Sequence, residues 1–245
     1  MNPRRREKTL ASQSPRPPCS AGLRCPAPIG ERPLNAGVTA GETAPTTTAP
    51  MNHEHFIALD CETGGLNSAE DALLSIAAVP SWAAAPFEIY LIPVGRITAK
   101  AVETNGYTPE FWASLGAVTP KVAALELQRW LYNLEPPGGG YDMAAHNAGF
   151  DSLFISALRE RTGIDIEIPG IWHCTKIKLQ ELREEGILPP GSNHLDDLGN
   201  LSGYWKTDPR GTTHEALQDA RCCRHGLHWL RSLSGQKKER GGAAA

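Results

Sequence analysis

The chain lacks a long hydrophobic run. Its apolar stretch Ala72–Val79 is far too short to cross a bilayer, and no run of 18 apolar residues occurs in the 245-residue sequence. A strong charge of one sign is also missing. The 24 Lys and Arg against 27 Asp and Glu give a net charge of −3, which argues against a protein that coats long duplexes. Cysteine is sparse, at six residues, so no disulfide framework supports the fold. Cys222 and Cys223 are adjacent, which fits reduced thiols and a cytoplasmic location.

What is present divides unevenly. Residues 1–50 hold 9 of the 20 prolines, 7 basic residues, 3 acidic ones and no aromatic. Such a segment cannot offset its ordering entropy by burial, so disorder is expected there. Arg4–Arg6 resembles the start of a transit peptide, but Pro15, Pro17, Pro18, Pro26 and Pro28 break any amphipathic helix. Met51 stands just ahead of the first strand and the first motif and reads as the true start. Residues 51–245 then carry 17 basic and 24 acidic residues. Residues 51–233 form one domain, and 234–245, rich in Gly, Lys and Ala, read as a disordered tail.

The domain opens with strands and continues by alternation. His55–Asp60, Ala72–Pro80 and Phe87–Ile92 read as strands, the second and third as antiparallel neighbours. Thr119-Pro120 marks a helix start, followed by Val122, Leu125, Trp130, Leu131 and Leu134 at helical spacing. A strand at Met143–His146, a helix at Asp151–Thr162 closed by Gly163, and a strand at Ile171–Cys174 follow. Further helices are expected near Thr175–Glu185, Leu195–Leu201 and His214–Leu233. This order describes an α/β fold with helices packed on a mixed sheet.

Acidic residues stand at the junctions. Asp60 and Glu62 end the first strand, and strand alternation puts them on one face with Cys61 on the other. Two carboxylates side by side repel unless a cation lies between them, and hard divalent cations take oxygen ligands of this kind. Alone, the pair reads more readily as a solvated strand end. Asp151 opens a helix, where the dipole favours an acid. Asp219 lies among Ala216, Ala220 and Cys223 on the last helix, where an unpaired acid would be costly. His214, at the start of that helix, can accept a proton near neutral pH. Cys222, Cys223, His225 and His228 share one helix, but no second ligand pair at zinc spacing appears. Trp205 is the tryptophan best placed in a loop to stack on a base.

Taken in order, these pieces form a pattern: D-C-E-T-G at a strand end, H-N-A-G-F-D at a strand-to-helix junction, and H-E-A-L-Q-D-A on the last helix. The chain here resembles the DEDDh superfamily of 3′–5′ exonucleases, which includes polymerase proofreading subunits, RNase T, oligoribonuclease and phage-encoded relatives. The resemblance runs from about Phe56 to Leu230. Gly65-Leu66-Asn67 with Asp71–Ala78 is similar to the strand hairpin of RNase T-type members, and Leu195–Leu198 to the short helix before the third motif. One departure is Cys174-Thr175, where relatives often carry Asp-Thr.

The resemblance implies an RNase H-like fold with a central five-stranded mixed sheet flanked by helices. It implies two divalent cations, Mg²⁺ or Mn²⁺. Asp60, Glu62 and Asp219 would hold the first, and Asp60 with Asp151 the second, while His214 deprotonates the attacking water. It further implies that Thr63 and Gly64 contact the terminal 3′-hydroxyl and that Leu66 packs on the last base. Asn147 and His146 stand where they could contact phosphate or orient the site. The expected substrate is the 3′ end of single-stranded nucleic acid, DNA ahead of RNA, released as nucleoside 5′-monophosphates. The alternatives are an exoribonuclease of the RNase T or oligoribonuclease type, or a silent binding module. A silent module should have lost one of the five reactive residues, and all are present. A polymerase partner would need a docking segment, and only about a dozen residues follow the last helix. No membrane partner is expected, and nothing in the sequence sets the oligomeric state. N-terminal sequencing of the native protein is expected to find Met51 first; a mature chain beginning at Met1 would refute that start.

Overall fold

The computed structural model describes residues 54–168, 171–211 and 213–242, with side chains through Ser234. The expected disordered segment 1–50, the Met51 start and the last three residues of the expected tail lie outside the described residues. The chain runs β1 (Phe56–Thr63), β2 (Leu73–Pro80), β3 (Phe87–Tyr90), α1 (Ala99–Asn105), α2 (Pro109–Ser114), α3 (Pro120–Tyr132) and β4 (Asp142–Ala145). It continues with α4 (Ala148–Thr162), β5 (Trp172–Cys174), α5 (Thr175–Glu184), α6 (Leu195–Leu201), α7 (Tyr204–Thr207) and α8 (Ala216–Gly242). The five strands form one mixed sheet in the order β3-β2-β1-β4-β5. β2 is antiparallel to β1 and β3, β4 is parallel to β1, and β5 is parallel to β4.

The alternation of β1 decides which helix meets which face. Ile57, Leu59 and Cys61 pack into the larger core with Leu127 of α3 and Phe154, Ile155 and Leu158 of α4. Phe56 and Ala58 point the other way, onto Cys223 and Leu227 of α8. Ala216 and Ala220 of α8 lie against Ala77 and Val79 of β2. Small side chains at these contacts let the helix come close to the sheet. The same parity carries Asp60 and Glu62 to the α8 side.

The sheet opens at one end. Pairing between β1 and β4 runs from Phe56↔Asp142 to Ala58↔Ala144. There β4 turns into α4, while β1 continues to Thr63 without its parallel neighbour. Crevices at the carboxyl ends of parallel strands are where α/β sheets bind ligands.

Several elements differ from the sequence reading. β3 stops at Tyr90 rather than Ile92, because Leu91 bridges Val118 and the Ile92 N–H goes to the Val118 carbonyl. α1 and α2 were not expected; each is short and is capped by a threonine hydroxyl, Thr98 and Thr108. α8 runs through Gly242, past the Ser234 boundary read from composition. Ala220 is fully buried. Ala220→Leu is expected to overpack the α8–sheet contact and destabilise the protein by about 1–3 kcal/mol in urea unfolding; unchanged stability would show that the helix is not held close by its small residues.

Candidate active site

The residues gather where β1 outruns β4. Glu62 is buried and Asp60 half-buried on the α8 side of β1. Asp219 sits in the first turn of α8, buried. Asp151 is also buried, and its Oδ1 accepts the Cys61 N–H at 3.1 Å. It thus caps a β1 donor beyond the point where pairing with β4 has ended. Asp151 does not open its helix, as the sequence suggested: α4 begins at Ala148, with Asn147 at the cap. His214 likewise lies outside α8, two residues before Ala216. Its N–H goes to the Thr104 carbonyl at 3.0 Å, and the Asp219 N–H bonds the Glu215 carbonyl, so the helix starts only after His214. The His214 Nδ1 stands 3.4 Å from Asp219 Oδ2. One ligand atom each from Glu62, His214 and Asp219 lies within 4.8 Å of the others, the one such group of three or more among the described residues.

A cleft of about 890 Å³ joins these groups, lined by Asp60, Glu62, Asp151, His214 and Asp219 and, at its mouth, by Thr63, Leu66 and Asn147. Leu66, among the residues lining the cleft, is 88% exposed. Gly64 is the exception. Its N–H goes to the Ala72 carbonyl and its carbonyl accepts from Thr98, each at 2.7 Å. A Cβ at Gly64 would stand 2.3 Å from the Arg96 carbonyl oxygen. Glycine is required by this close approach, and its N–H is already committed, so its role is to shape the loop. Thr63 donates its hydroxyl to the Gly65 carbonyl, and its own carbonyl accepts from Asn105.

Burial and mutual repulsion dominate the electrostatics. Burial pushes Glu62 up to about 8, helped by Asp219 and opposed by Arg210. Burial holds Asp151 at about 8 despite the Cys61 N–H. It also raises Asp219 to about 6 against the lowering effect of Arg210. Asp60 is raised well above the usual carboxylate range by burial, then by Asp151, Asp219 and Glu62. His214 is lowered, first by burial and then by Arg210, so it is neutral at pH 7. Four acids that resist ionisation are an all-oxygen donor set in need of a cation. Asp219 Oδ1 is buried without a hydrogen-bond partner in the protein. The residues present therefore fit hard divalent cations such as Mg²⁺ or Mn²⁺.

Other expected or overlooked residues take clear places. His146 is structural: its ring nitrogens lie 3.0 Å from Thr175 Oγ1 and from the Asn193 carbonyl, and burial lowers it to about 4. Cys222 and Cys223 are buried in different apolar clusters. Trp205 lies on α7, packed into the cluster around Leu198 and under the Arg210 guanidinium, so it is not a free stacking surface. The sequence reading missed Thr104 and Asn105, which tether His214 and Thr63, and Phe150, which lines the cleft beside Asp151. It also missed Arg210, which pairs with Asp219 and Asp196. The Thr98 cap was the one readable signal for α1; Phe150 sits inside the second motif; Arg210 had none.

No protein-family model matches the chain. Over 137 residues it is 31% identical to ribonuclease T of Vibrio vulnificus, covering 51% of this chain and 63% of that protein. Over 118 residues it is 31% identical to ribonuclease T of Vibrio campbellii, covering 43% and 55%. The chain thus spans less than two thirds of the curated relatives it matches. Among solved structures, exonuclease I of E. coli in complex with a dT13 oligonucleotide superposes with a TM-score of 0.62 at 18% identity, over 77% of this chain and 43% of that one. The chain shares the fold of that exonuclease. Cell-death related nuclease 4 shares the fold, with a TM-score of 0.55 at 18% identity over 74% of this chain and 64% of that one. Among the described residues no helix is long and apolar enough to cross a membrane.

The clustered acids set the pH dependence of stability. A carboxyl raised in the folded state to about 8, as Glu62 is, contributes stability below its unfolded pKa of about 4.3 and loses it as pH rises through the folded value. In chelator, Glu62→Gln is therefore expected to melt above the wild type by a margin that grows from pH 5 to pH 8. Saturating Mn²⁺ should close that margin. Thermal melts at four pH values measure both; a variant that melts lower in chelator at pH 8 would refute the strained site.

Proposed function

We propose that the chain is a metal-dependent 3′–5′ exonuclease acting on single-stranded nucleic acid. The observation that carries this reading is the meeting of four buried or half-buried carboxylates and a neutral His214 in one open cleft, with Asp219 Oδ1 unpartnered. Asp60, Glu62 and Asp219 would hold one divalent cation and Asp60 with Asp151 a second. When bound, such cations stabilise charge on the attacking and leaving oxygens of an in-line displacement. His214 accepts a proton from the attacking water as the new P–O bond forms. The bond from phosphorus to the 3′ oxygen breaks, leaving a nucleoside 5′-monophosphate and a strand with a new 3′-hydroxyl. Leu66, Thr63 and Asn147 border the space for the terminal nucleotide, Leu66 as an apolar face for its base. The acidic balance of the domain suits a short grip on one strand end, with cations supplying the positive charge.

DNA stands ahead of RNA in this reading, and exonuclease I, whose fold this chain shares, is known with a dT13 oligonucleotide. The second reading is an exoribonuclease, favoured by the 31% identity to ribonuclease T. The whole protein, incubated with Mn²⁺ and 5′-labelled single-stranded DNA or RNA of one sequence, is expected to give a ladder shrinking from the 3′ end. His214→Ala should slow it by about 10²–10⁴-fold, and Asp219→Ala should abolish it. A faster ladder on RNA would select the exoribonuclease, and no ladder on either polymer would refute the nuclease.

A further inference from the structure

Arg210 reaches into the acid cluster from the segment between α7 and α8, with 14% of its side chain exposed. Its Nη2 donates to Asp219 Oδ2, its Nη1 donates to Asp196 Oδ1, and its guanidinium carbon lies 5.3 Å above the Trp205 ring. The same Nη2 stands 3.1 Å from His214 Nδ1. Arginine has no acceptor and does not lose its proton, so that contact is a donation into the imidazole lone pair. A neutral imidazole has one such lone pair. While Arg210 occupies it, the proton sits on Nε2 and His214 has no site left to accept a proton from water. The same hand of donors holds one oxygen of Asp219.

We propose that Arg210 is a latch on this site: closed, it withholds the His214 lone pair and one Asp219 oxygen, and it must leave both for the site to bind a cation fully and act. The inference rests on the nuclease reading above and adds a positioning residue to it. Two features favour a latch over a permanent brace. The Arg210 Nε is buried without a partner, which penalises the closed arrangement. The outer anchor, Asp196, is 61% exposed, and pairs of that kind hold weakly.

A latch closed about 90% of the time weakens cation binding about tenfold. Calorimetric titration of the full chain with Mn²⁺ tests this without reference to catalysis. Arg210→Met is expected to bind Mn²⁺ roughly tenfold more tightly than the wild type. Arg210→Lys keeps the charge but cannot span Asp196 and Asp219, and should recover most of that gain. Asp196→Asn removes a negative charge beside the cleft, which by itself would weaken cation binding; release of the latch predicts tighter binding instead. Asp196→Asn lies at an exposed position, so it reports even where an Arg210 variant folds poorly. Unchanged or weaker binding in Arg210→Met would overturn the latch, and so would a lysine variant that matches wild type alongside weaker binding in Asp196→Asn, since charge alone would then explain the data. Absence of cation binding in every protein would overturn the nuclease reading and the latch with it, whereas cation binding that ignores the variants overturns the latch alone.

Discussion

Repulsion among carboxylates is the constraint around which this domain is arranged. Asp60, Glu62, Asp151 and Asp219 come from three elements far apart in the chain and meet at one end of the sheet. Their charges oppose the fold, and the apolar packing holds them together against that opposition. The α8 contact shows how. Ala216 and Ala220 on Ala77 and Val79, and Cys223 and Leu227 on Phe56 and Ala58, fix the helix over the strands and carry Asp219 with it. The stability of the two faces is spent on placing acids where acids resist being placed.

Each charge in the cleft is answered differently. Asp151 is steadied by the backbone N–H of Cys61. Asp219 is steadied on one oxygen by Arg210 and left bare on the other. Glu62 and Asp60 lean chiefly on being held, and both are driven toward their neutral forms. Arg210 is the protein's own cation in this arrangement, and it touches the imidazole as well as the acid. Charge compensation of the acid and occupation of the imidazole nitrogen therefore meet in a single side chain.

The order of strands and helices along the chain was legible from short-range periodicity, and the five clustered residues from motifs that resemble a known family. Strand parity alone separates Cys61 from Asp60 and Glu62, and Thr119-Pro120 marks α3 without tertiary information. Direction was legible where boundaries were not. His214 was read onto the helix, since a five-residue spacing to Asp219 looks the same whether the first residue is helical or not; the Thr104 carbonyl, supplied by an element over a hundred residues earlier, settles the matter. α1 and α2 are too short to display an apolar stripe, so their threonine caps were the sole trace. The backbone partners of Gly64 were not legible for a related reason. The partner of its N–H is the Ala72 carbonyl at the entry to β2, which cannot be inferred from neighbours in sequence. Arg210 had no signature at all, because its importance comes from reach: it contacts Asp196, His214 and Asp219 from a loop.

The Asp151–Cys61 bond sets apart two acids that otherwise look alike. Replacing Glu62 by a neutral residue removes one of the repelling charges and uncovers no backbone donor. Losing Asp151 removes an acid but also uncovers a buried β1 donor at the mouth of the sheet, so relief and damage arrive together. The two acids therefore differ in what they do for the scaffold: the glutamate only burdens it, whereas the helix aspartate also serves the backbone.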